Sequence, residues 1–204
     1  AYRASIELAR EKGVFPFFDA EAYLQAEFIG RLPDDIRQGI ARHGIRNSHL
    51  LAIAPTGTIS LLANNISSGL EPVFEFEYLR KLRQADGSFR EYRLASHALL
   101  QWRSLRGGLA LPETFVAARD LPPQAHLDMQ AAVQPYVDNS ISKTINIPEA
   151  FPFEAFQDVY QQAYALGLKG CTTFRPNPVT GAILSGTREA VGSMQCCTLE
   201  REPD

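Results

Sequence analysis

Apolar residues recur every three or four positions in several stretches of the chain, which is the spacing of a helix with one buried face. In residues 2–12 the apolar side chains lie among charges, and Gly13 ends the pattern. Asp19, a good N-cap residue, precedes a second helical stretch over about 20–30. Further helices are predicted over residues 33–43, 59–63, 95–106, 112–119, 123–137 and 149–166.

Shorter apolar runs predict strands. Three of them are residues 49–54, 143–147 and 170–174, and the first has the length of a buried strand. Residues 73–80 alternate apolar and acidic side chains, and with Asp86-Gly87 as the turn and residues 89–94 returning they predict a β-hairpin. Because helices and short strands alternate along the chain, the pattern favours α/β packing around a partial parallel sheet.

The pattern changes near Pro176, where proline, glycine and small polar residues begin to dominate and apolar periodicity stops. We expect residues 186–204 to form a flexible tail, which carries the adjacent Cys196 and Cys197. Residues 1–185 are then predicted to form one domain.

Composition narrows the class of protein. The 204 residues are 45% hydrophobic and 21% charged, which excludes a collagen-like, coiled-coil or wholly disordered chain. A net charge of -3 argues against a broad nucleic-acid or membrane-surface footprint, and no apolar run approaches the roughly 20 residues that span a bilayer. The N-terminus opens on a charged stretch unlike a signal peptide, and three cysteines fit a reducing compartment, so we expect a cytoplasmic protein.

The run LLAIAPTGTIS (50–60) holds the most distinctive local chemistry. Pro55 fixes one φ angle, Gly57 permits a positive φ or a close backbone approach, and Thr56 and Thr58 add hydroxyls. A helix N-terminus that follows such a turn has free N–H groups and the positive end of the helix dipole, which suit phosphate. No lysine follows the glycine, so the turn is not a P-loop. An ordinary strand-to-helix turn with a capping threonine is the alternative, and both interpretations stay open on spacing alone.

Four longer blocks stand in a fixed order: GIRNSHLLAIAPTGTIS (44–60), NNISSGLEPVFEFEY (64–78), DNSISKTINIP (138–148) and LGLKGCTTFRPN (166–177). Together they resemble the C-terminal part of a ribonucleotide reductase catalytic subunit, most closely the adenosylcobalamin-dependent class II enzyme. The resemblance spans about residues 2–184. It implies an α/β fold, the C-terminal part of the family's ten-stranded α/β barrel, with a β-hairpin and a flexible tail.

The resemblance also implies a substrate site. In the family this strand-to-helix turn binds the phosphates of the ribonucleotide, mainly through backbone N–H groups. The matching positions here are Pro55, Thr56, Gly57, Thr58 and Ile59. The following block is expected to support that site through Asn64, Ser68, Gly69 and Glu71. We expect Lys143 and Arg175 to form surface or barrel-end salt bridges and not to bind phosphate.

The residues of the family's radical chemistry do not occur. That chemistry needs a cysteine in an Asn-x-Cys-x-Glu loop and a second pair of reducing cysteines, and neither Cys171 nor the tail cysteines stand in such a context. The isolated chain is therefore predicted to be inactive, with adenosylcobalamin bound mainly by the missing half. Threonines at 172 and 173, where the class that draws its radical from a second protein has adjacent tyrosines, favour class II. Cys171 is expected to be a small buried residue of the last strand.

Cys196 and Cys197 match the position of the family's C-terminal redox pair, which passes electrons from a thioredoxin or glutaredoxin-like partner to the barrel. Family pairs are separated by a few residues, whereas these are adjacent, so a single shuttle thiol, a soft-metal site and no role are the alternatives. The histidines, His43, His49, His97 and His126, lack metal-ligand spacing, and no metal site is predicted.

Two hypotheses follow. The first is the C-terminal piece or small subunit of a B12-dependent ribonucleotide reductase, which completes the barrel with a larger subunit, or with the missing N-terminal part of the same chain. It would serve the reduction of ribonucleotides to deoxyribonucleotides for DNA replication. The second is a stand-alone nucleotide- or phosphate-binding or regulatory module that has lost catalysis. Nothing in the sequence decides between a di- and a triphosphate substrate.

Overall fold

The computed structural model describes residues 1–66 and 68–175, together with the backbone of residues 184–186. The helices are α1 (Tyr2–Lys12), α2 (Ala20–Gln25), α3 (Glu27–Gly30), α4 (Asp34–His43), α5 (Gly57–Leu62), α6 (His97–Arg106), α7 (Pro123–Val133) and α8 (Phe153–Ala165). The strands are β1 (Glu77–Arg83), β2 (Phe89–Ala95), β3 (Thr144–Asn146), β4 (Thr172–Phe174) and β5 (Leu184–Gly186). Two 3-10 turns cover Ala118–Asp120 and Gln134–Tyr136.

The first four helices pack around an apolar cluster of their own. Its buried members are Tyr2, Ile6, Ile29, Ile36, Ile40 and Ile45. Ile40 and Ile45 are fully buried, and each such side chain contributes about 1.5–3 kcal/mol by leaving water. As predicted, α1 ends before Gly13 and α4 ends before Gly44. Gly44 has a φ of 70°, and an added Cβ would lie 2.2 Å from Val14 Cγ1.

The helix predicted over about 20–30 is two helices. Asp19 does cap the first one, since its Oδ1 accepts the Ala22 N–H at 2.9 Å. Ala26 is extended, with a φ of -61° and a ψ of 133°, and separates α2 from α3. The apolar side chains at 23, 24, 28 and 29 all pack on the first cluster, and a continuous helix would spread them around too much of its circumference to reach one core.

Three extended segments run parallel: residues 51–53, 139–147 and 172–174, named here the parallel array. Strands β3 and β4 pair in parallel register, and Ile53 forms a parallel bridge with Ile141. One face packs on α7 and α8 around a second cluster, formed by Leu127, Ile145, Ile147, Val159 and Ala163. The short strands predicted over 143–147 and 170–174 are thereby confirmed, each with narrower bounds.

Residues 49–54 are not the buried strand that their apolar run predicts. Leu51 is 38% exposed, and the segment touches the array only through its bridge and two backbone hydrogen bonds. The side chain of Asp138 prevents regular strand pairing here. Its carboxylate accepts the N–H groups of Leu50 and Leu51, both at 2.7 Å. Those two groups are therefore not available for a neighbouring strand.

The hairpin begins later than its alternating pattern indicates. Strand β1 starts at Glu77, not at residue 73, and pairs antiparallel with β2. Asp86 stabilises the turn by accepting the N–H of Ser88 at 2.9 Å. The backbone of β5 adds a third antiparallel strand beside β1, in a region where the sequence pattern predicts no strand.

Three predicted helices change because of prolines and aromatic packing. Residues 112–119 form no α-helix; Phe115 instead packs on Phe76 and Trp102, with ring centroids 5.2 and 5.8 Å away. Helix α7 gives way to a 3-10 turn at Pro135, which lacks an N–H donor. Helix α8 begins after Pro152 and not at 149, since the residue before a proline avoids helical geometry.

Asp138 joins the helical cluster to the parallel array. Its side chain is almost fully buried and accepts hydrogen bonds from the Tyr2 hydroxyl of α1 and from the backbone of Leu50 and Leu51. Burial alone would raise the pKa of Asp138, but these three hydrogen bonds to the charged form outweigh it and lower the pKa. Burial and the neighbouring carboxylate raise the pKa of the Tyr2 phenol.

In the described part of the chain, none of the helices combines the length and the apolar character that crossing a membrane requires.

Asp138→Asn should lower the free energy of unfolding by about 2–4 kcal/mol at pH 7, because two or three hydrogen bonds to a buried charge are lost or weakened. The native pKa of Asp138 lies below its unfolded value near 3.9, so the stabilisation is complete above that value and is lost as the pH falls through the native pKa. Urea unfolding followed by circular dichroism at pH 7 and at about pH 3 measures the difference between the two proteins. We expect that difference to narrow at the lower pH.

Tyr2→Phe should cost about 1–3 kcal/mol in the same assay, since it removes one donor from the carboxylate. Tyr136→Phe is the matched control, because Tyr136 is 75% exposed. Equal stabilities of the two Phe variants would contradict the role given to the Tyr2–Asp138 contact.

Candidate functional site

The PTGT turn, Pro55–Thr58, connects the edge of the parallel array to α5. Thr56 lies in the left-handed region, with φ 49° and ψ 24°, at the N-cap position of α5. A non-glycine residue pays roughly 1 kcal/mol for this conformation. Its side chain does not cap the helix; instead Thr56 Oγ1 accepts the N–H of Gly69 at 2.7 Å. The alternative of an ordinary turn with a capping threonine is therefore wrong for Thr56.

The start of α5 carries backbone N–H groups that no carbonyl of the helix can accept. In the described residues, those of Gly57, Thr58 and Ile59 have no hydrogen-bond partner. Ile59 is 65% exposed, and a Cβ added at Gly57 would meet nothing within 4 Å. Among the described residues, the turn thus has three unpaired backbone donors at the positive end of a short helix.

Gly69 approaches the turn from the following segment. Its φ is 54°, and an added Cβ would lie 2.6 Å from the carbonyl oxygen of Ala54. Only glycine combines this conformation with that approach. Residues 68–72, named here the support segment, therefore lie directly against the PTGT turn.

The neighbouring asparagines attach this region to the hairpin. Asn64 and Asn65 both have positive φ angles, 59° and 58°. The Asn65 side chain donates to the Ala95 carbonyl at 3.2 Å and accepts the Tyr78 hydroxyl at 2.8 Å. Asn65, a residue that the sequence pattern does not single out, thus joins this region to the hairpin through its side chain.

Lys143 and Glu71 form an ion pair in which the lysine is buried and the glutamate is partly exposed. Lys143 is 2% exposed, and its Nζ donates to Glu71 Oε2 at 2.6 Å and to the Thr144 carbonyl at 2.8 Å. The second oxygen of Glu71 accepts the N–H of Thr144. The salt bridge expected for Lys143 is present, but it lies inside the protein and not at its surface.

His126 of α7 completes this cluster. Its Nδ1 lies 2.7 Å from Lys143 Nζ, and the histidine is almost fully buried. Burial and the charge of Lys143 lower the pKa of His126, so the neutral ring accepts the ammonium proton. Burial also lowers the pKa of Lys143, which Glu71 partly offsets. The sequence signal for this cluster is a lysine inside an apolar strand, which needs a buried partner.

Arg175 does not form the expected salt bridge in the described residues. Its Nε donates to the backbone carbonyl of Glu149 at 2.7 Å, so the guanidinium is bound to the loop that precedes α8. No hydrogen bond joins it to the PTGT turn or to the support segment within the described residues. That Arg175 does not bind phosphate stays a prediction.

A groove of about 440 Å³ lies along the array next to the turn. Its lining residues include Ile53, Pro55, Ser142, Lys143 and Thr172. Small-molecule sites have volumes of about 300–1,000 Å³, so the groove is large enough for part of a nucleotide.

Cys171 immediately precedes β4 and packs on the second apolar cluster, but it is only half-buried and β5 follows β4, so the prediction of a buried residue in the last strand is wrong. Burial raises the pKa of its thiol, which keeps it protonated and unreactive near neutral pH. Cys196 and Cys197 lie outside the described residues. Within the described residues, no three His, Cys, Asp or Glu side chains come together in a way that could hold a metal ion.

Comparison with known proteins places the chain in a family. Residues 1–174 match the model of the ribonucleotide reductase barrel domain. The vitamin B12-dependent ribonucleoside-diphosphate reductase of Mycobacterium tuberculosis is 32% identical over 205 residues, which cover 91% of this chain and 27% of that protein. The enzyme of the same name from Thermoplasma acidophilum is 33% identical, over 93% of this chain and 25% of that protein.

The fold has a solved counterpart. The alpha subunit of the class Id ribonucleotide reductase of Actinobacillus ureae superposes with a TM-score of 0.53 at 20% identity, over 85% of this chain and 31% of that chain. The chain thus spans about a quarter of the length of the curated relatives and a third of the solved one. With 174 of its 204 residues matched to the family model, the chain belongs to the ribonucleotide reductase barrel-domain family.

Proposed function

We propose that the chain is the C-terminal part of a vitamin B12-dependent ribonucleotide reductase and supplies the site that binds the substrate's phosphates. The observation that carries this proposal is the PTGT turn. Thr56 is strained there, and the N–H groups of the next three residues have no acceptor among the described residues. Strained residues persist where surrounding contacts hold them, and they are concentrated at ligand sites. The turn lies within the region that matches the barrel domain, and the B12-dependent relatives cover it.

The turn would bind phosphate through its backbone. The N–H groups of Gly57, Thr58 and Ile59 donate to the phosphate oxygens, helped by the dipole of α5. The absence of a side chain at Gly57 lets the oxygens approach closely. Because Thr56 Oγ1 already accepts the Gly69 N–H, its own hydroxyl proton is free to be donated to the ligand, as is that of Thr58. Pro55 sets the direction in which the chain enters the turn.

The remaining machinery is assigned to other parts of the enzyme. Adenosylcobalamin, when bound, supplies the radical chemistry of such a reductase. The described residues do not fit that cofactor: the groove beside the turn is of about 440 Å³, within the range for drug-sized ligands, and a corrin with its nucleotide tail is larger. The nitrogen of buried His126 that faces the cluster is already bound to Lys143. A larger subunit, or the N-terminal part of the same chain, would hold the cofactor and the radical cysteine.

In this proposal residues 1–185 complete the barrel, and residues 186–204 form the reductant tail. Its adjacent cysteines, Cys196 and Cys197, pass electrons from a thioredoxin or glutaredoxin-like protein to the barrel. The assembled enzyme would work in the cytoplasm, where such reductants keep thiols reduced.

The first test is complementation. The chain is mixed with a separate protein that carries the Asn-x-Cys-x-Glu loop and the early barrel strands, together with adenosylcobalamin, a ribonucleoside diphosphate and dithiothreitol. We expect deoxyribonucleotide only in the mixture, since each half lacks part of the site. Product from the chain alone would overturn its dependence on a partner. Nucleotide binding by the chain without complex or product would instead favour a stand-alone binding module.

Thr58→Ala should weaken binding of a ribonucleoside diphosphate about tenfold, because one hydroxyl donor to a charged group is lost. Calorimetric titration with the diphosphate and with the parent nucleoside separates phosphate contacts from base contacts, and only the first should change. Thr114→Ala is the control, since Thr114 lies in an exposed loop beyond the hairpin. An equal loss for the nucleoside, or the same loss in the control, would argue against the phosphate site.

Cys196→Ser and Cys197→Ser test the tail in the complemented enzyme. If either thiol is the shuttle, its loss should lower turnover driven by a thioredoxin system by tenfold or more. Turnover driven by dithiothreitol, which reduces the barrel directly, should change less than twofold. Full activity of both variants and of the double variant with thioredoxin would assign the tail no redox role.

A further inference from the structure

The support segment is held at two points, one on each side of Leu70. At one point Gly69 donates its N–H to Thr56 Oγ1 in the PTGT turn. At the other, Glu71 accepts the Lys143 ammonium and the Thr144 N–H. Gly69 and Glu71, which are two positions apart, thus connect the exposed turn to the centre of the parallel array.

The Lys143–Glu71 ion pair is the most buried part of this connection. Lys143 stands in the central segment of the array, and its carbonyl accepts the Thr172 N–H at 3.2 Å. Its side chain is 1% exposed, and that of Glu71 is 23% exposed. The ammonium has three partners, Glu71, the Thr144 carbonyl and His126, so all its protons are bound. Neither partner of the ion pair can move without leaving a buried group unpaired.

The turn, by contrast, has few contacts of its own. The side chains of α5 are mostly exposed, with Leu62 at 89%, and no residue of this helix is buried. The left-handed Thr56 therefore depends on its bond with Gly69, and the position of Gly69 depends on the glutamate two residues later. The connection runs from the array through Lys143 and Glu71 to Gly69 and Thr56.

We infer that Glu71 and Lys143 are positioning residues for phosphate binding, which fix the PTGT turn through the Gly69–Thr56 hydrogen bond. This inference rests on the proposed function and extends it. Neither side chain would contact the phosphate, because the Lys143 ammonium is already bound to Glu71, the Thr144 carbonyl and His126. A purely structural ion pair would instead stabilise the array and leave the turn's geometry unchanged.

Amide hydrogen exchange of the full chain, measured by NMR, tests the connection without any ligand. Glu71→Gln should speed exchange of the Gly69 N–H at least tenfold. Gln130→Leu is the matched control: Gln130 is fully buried under the same array, donates to the Gly170 carbonyl at 2.6 Å and has no hydrogen bond to the support segment. That control should leave Gly69 exchange unchanged. Unaltered Gly69 exchange in Glu71→Gln would overturn the inference.

A second variant covers the case in which Glu71→Gln fails to fold. The double replacement Glu71→Leu with Lys143→Met removes both charges together, which buried ion pairs often tolerate. We expect this protein to melt within a few degrees of the wild type and still to show fast Gly69 exchange. A folded double variant with slow Gly69 exchange would also overturn the inference.

A double-mutant cycle with a ribonucleoside diphosphate then tests the consequence for binding. Glu71→Gln should weaken binding about tenfold, and Thr56→Val about a hundredfold, because Thr56→Val removes a hydroxyl donor to the ligand as well as the connection. The double variant should bind at most about threefold more weakly than Thr56→Val alone, and an additive loss of about a thousandfold would contradict the inference. If the wild type binds no diphosphate but Gly69 exchange responds as expected, the connection stands and the proposed phosphate site fails.

Discussion

A single buried carboxylate decides how the two apolar clusters of this protein meet. Asp138 carries its charge out of water, which is costly, and keeps it there because one phenol and two backbone N–H groups donate to it. Two of those donors would otherwise belong to a sheet. By binding them, Asp138 keeps the N–H groups of residues 50 and 51 out of strand pairing, while the carbonyl of Leu51 and the bridge at Ile53 still join this segment to the array.

A second buried charge defines the other side of the site. Lys143 brings an ammonium into the array, and Glu71 together with His126 provides its partners. The site thus stands between two satisfied buried charges, with the strained turn as its exposed edge. The two buried charges have their partners inside the protein, whereas the first N–H groups of α5 have no acceptor among the described residues.

Much of this could be predicted from local patterns. Asp19 caps the start of α2, glycines end α1 and α4, and Asp86-Gly87 forms the hairpin turn. Each of these effects is exerted on residues close by in the sequence, so a local pattern predicts it. The PTGT turn is also predicted from its local sequence. The predictions that failed concern contacts between residues far apart in the sequence: Glu71 lies 72 residues from Lys143, and Asp138 lies 88 residues from Leu50. No local pattern could show that the N–H groups of Leu50 and Leu51 would bind the side chain of a residue far along the chain. Nor could it show that Phe115 would pack on Trp102 in a segment without an α-helix.

The Tyr2–Asp138 contact also imposes an order on synthesis. The helical cluster draws its buried residues from positions 2–45, so it can collapse as soon as that stretch leaves the ribosome. Asp138, which accepts the Tyr2 hydroxyl, is synthesised 136 residues after Tyr2. The delay is on the order of ten seconds at ordinary rates of translation. During that interval water must hydrate the phenol and the two amides that await the carboxylate. During synthesis, the contact that docks the helical cluster on the array through Asp138 therefore cannot form before residue 138 has been made.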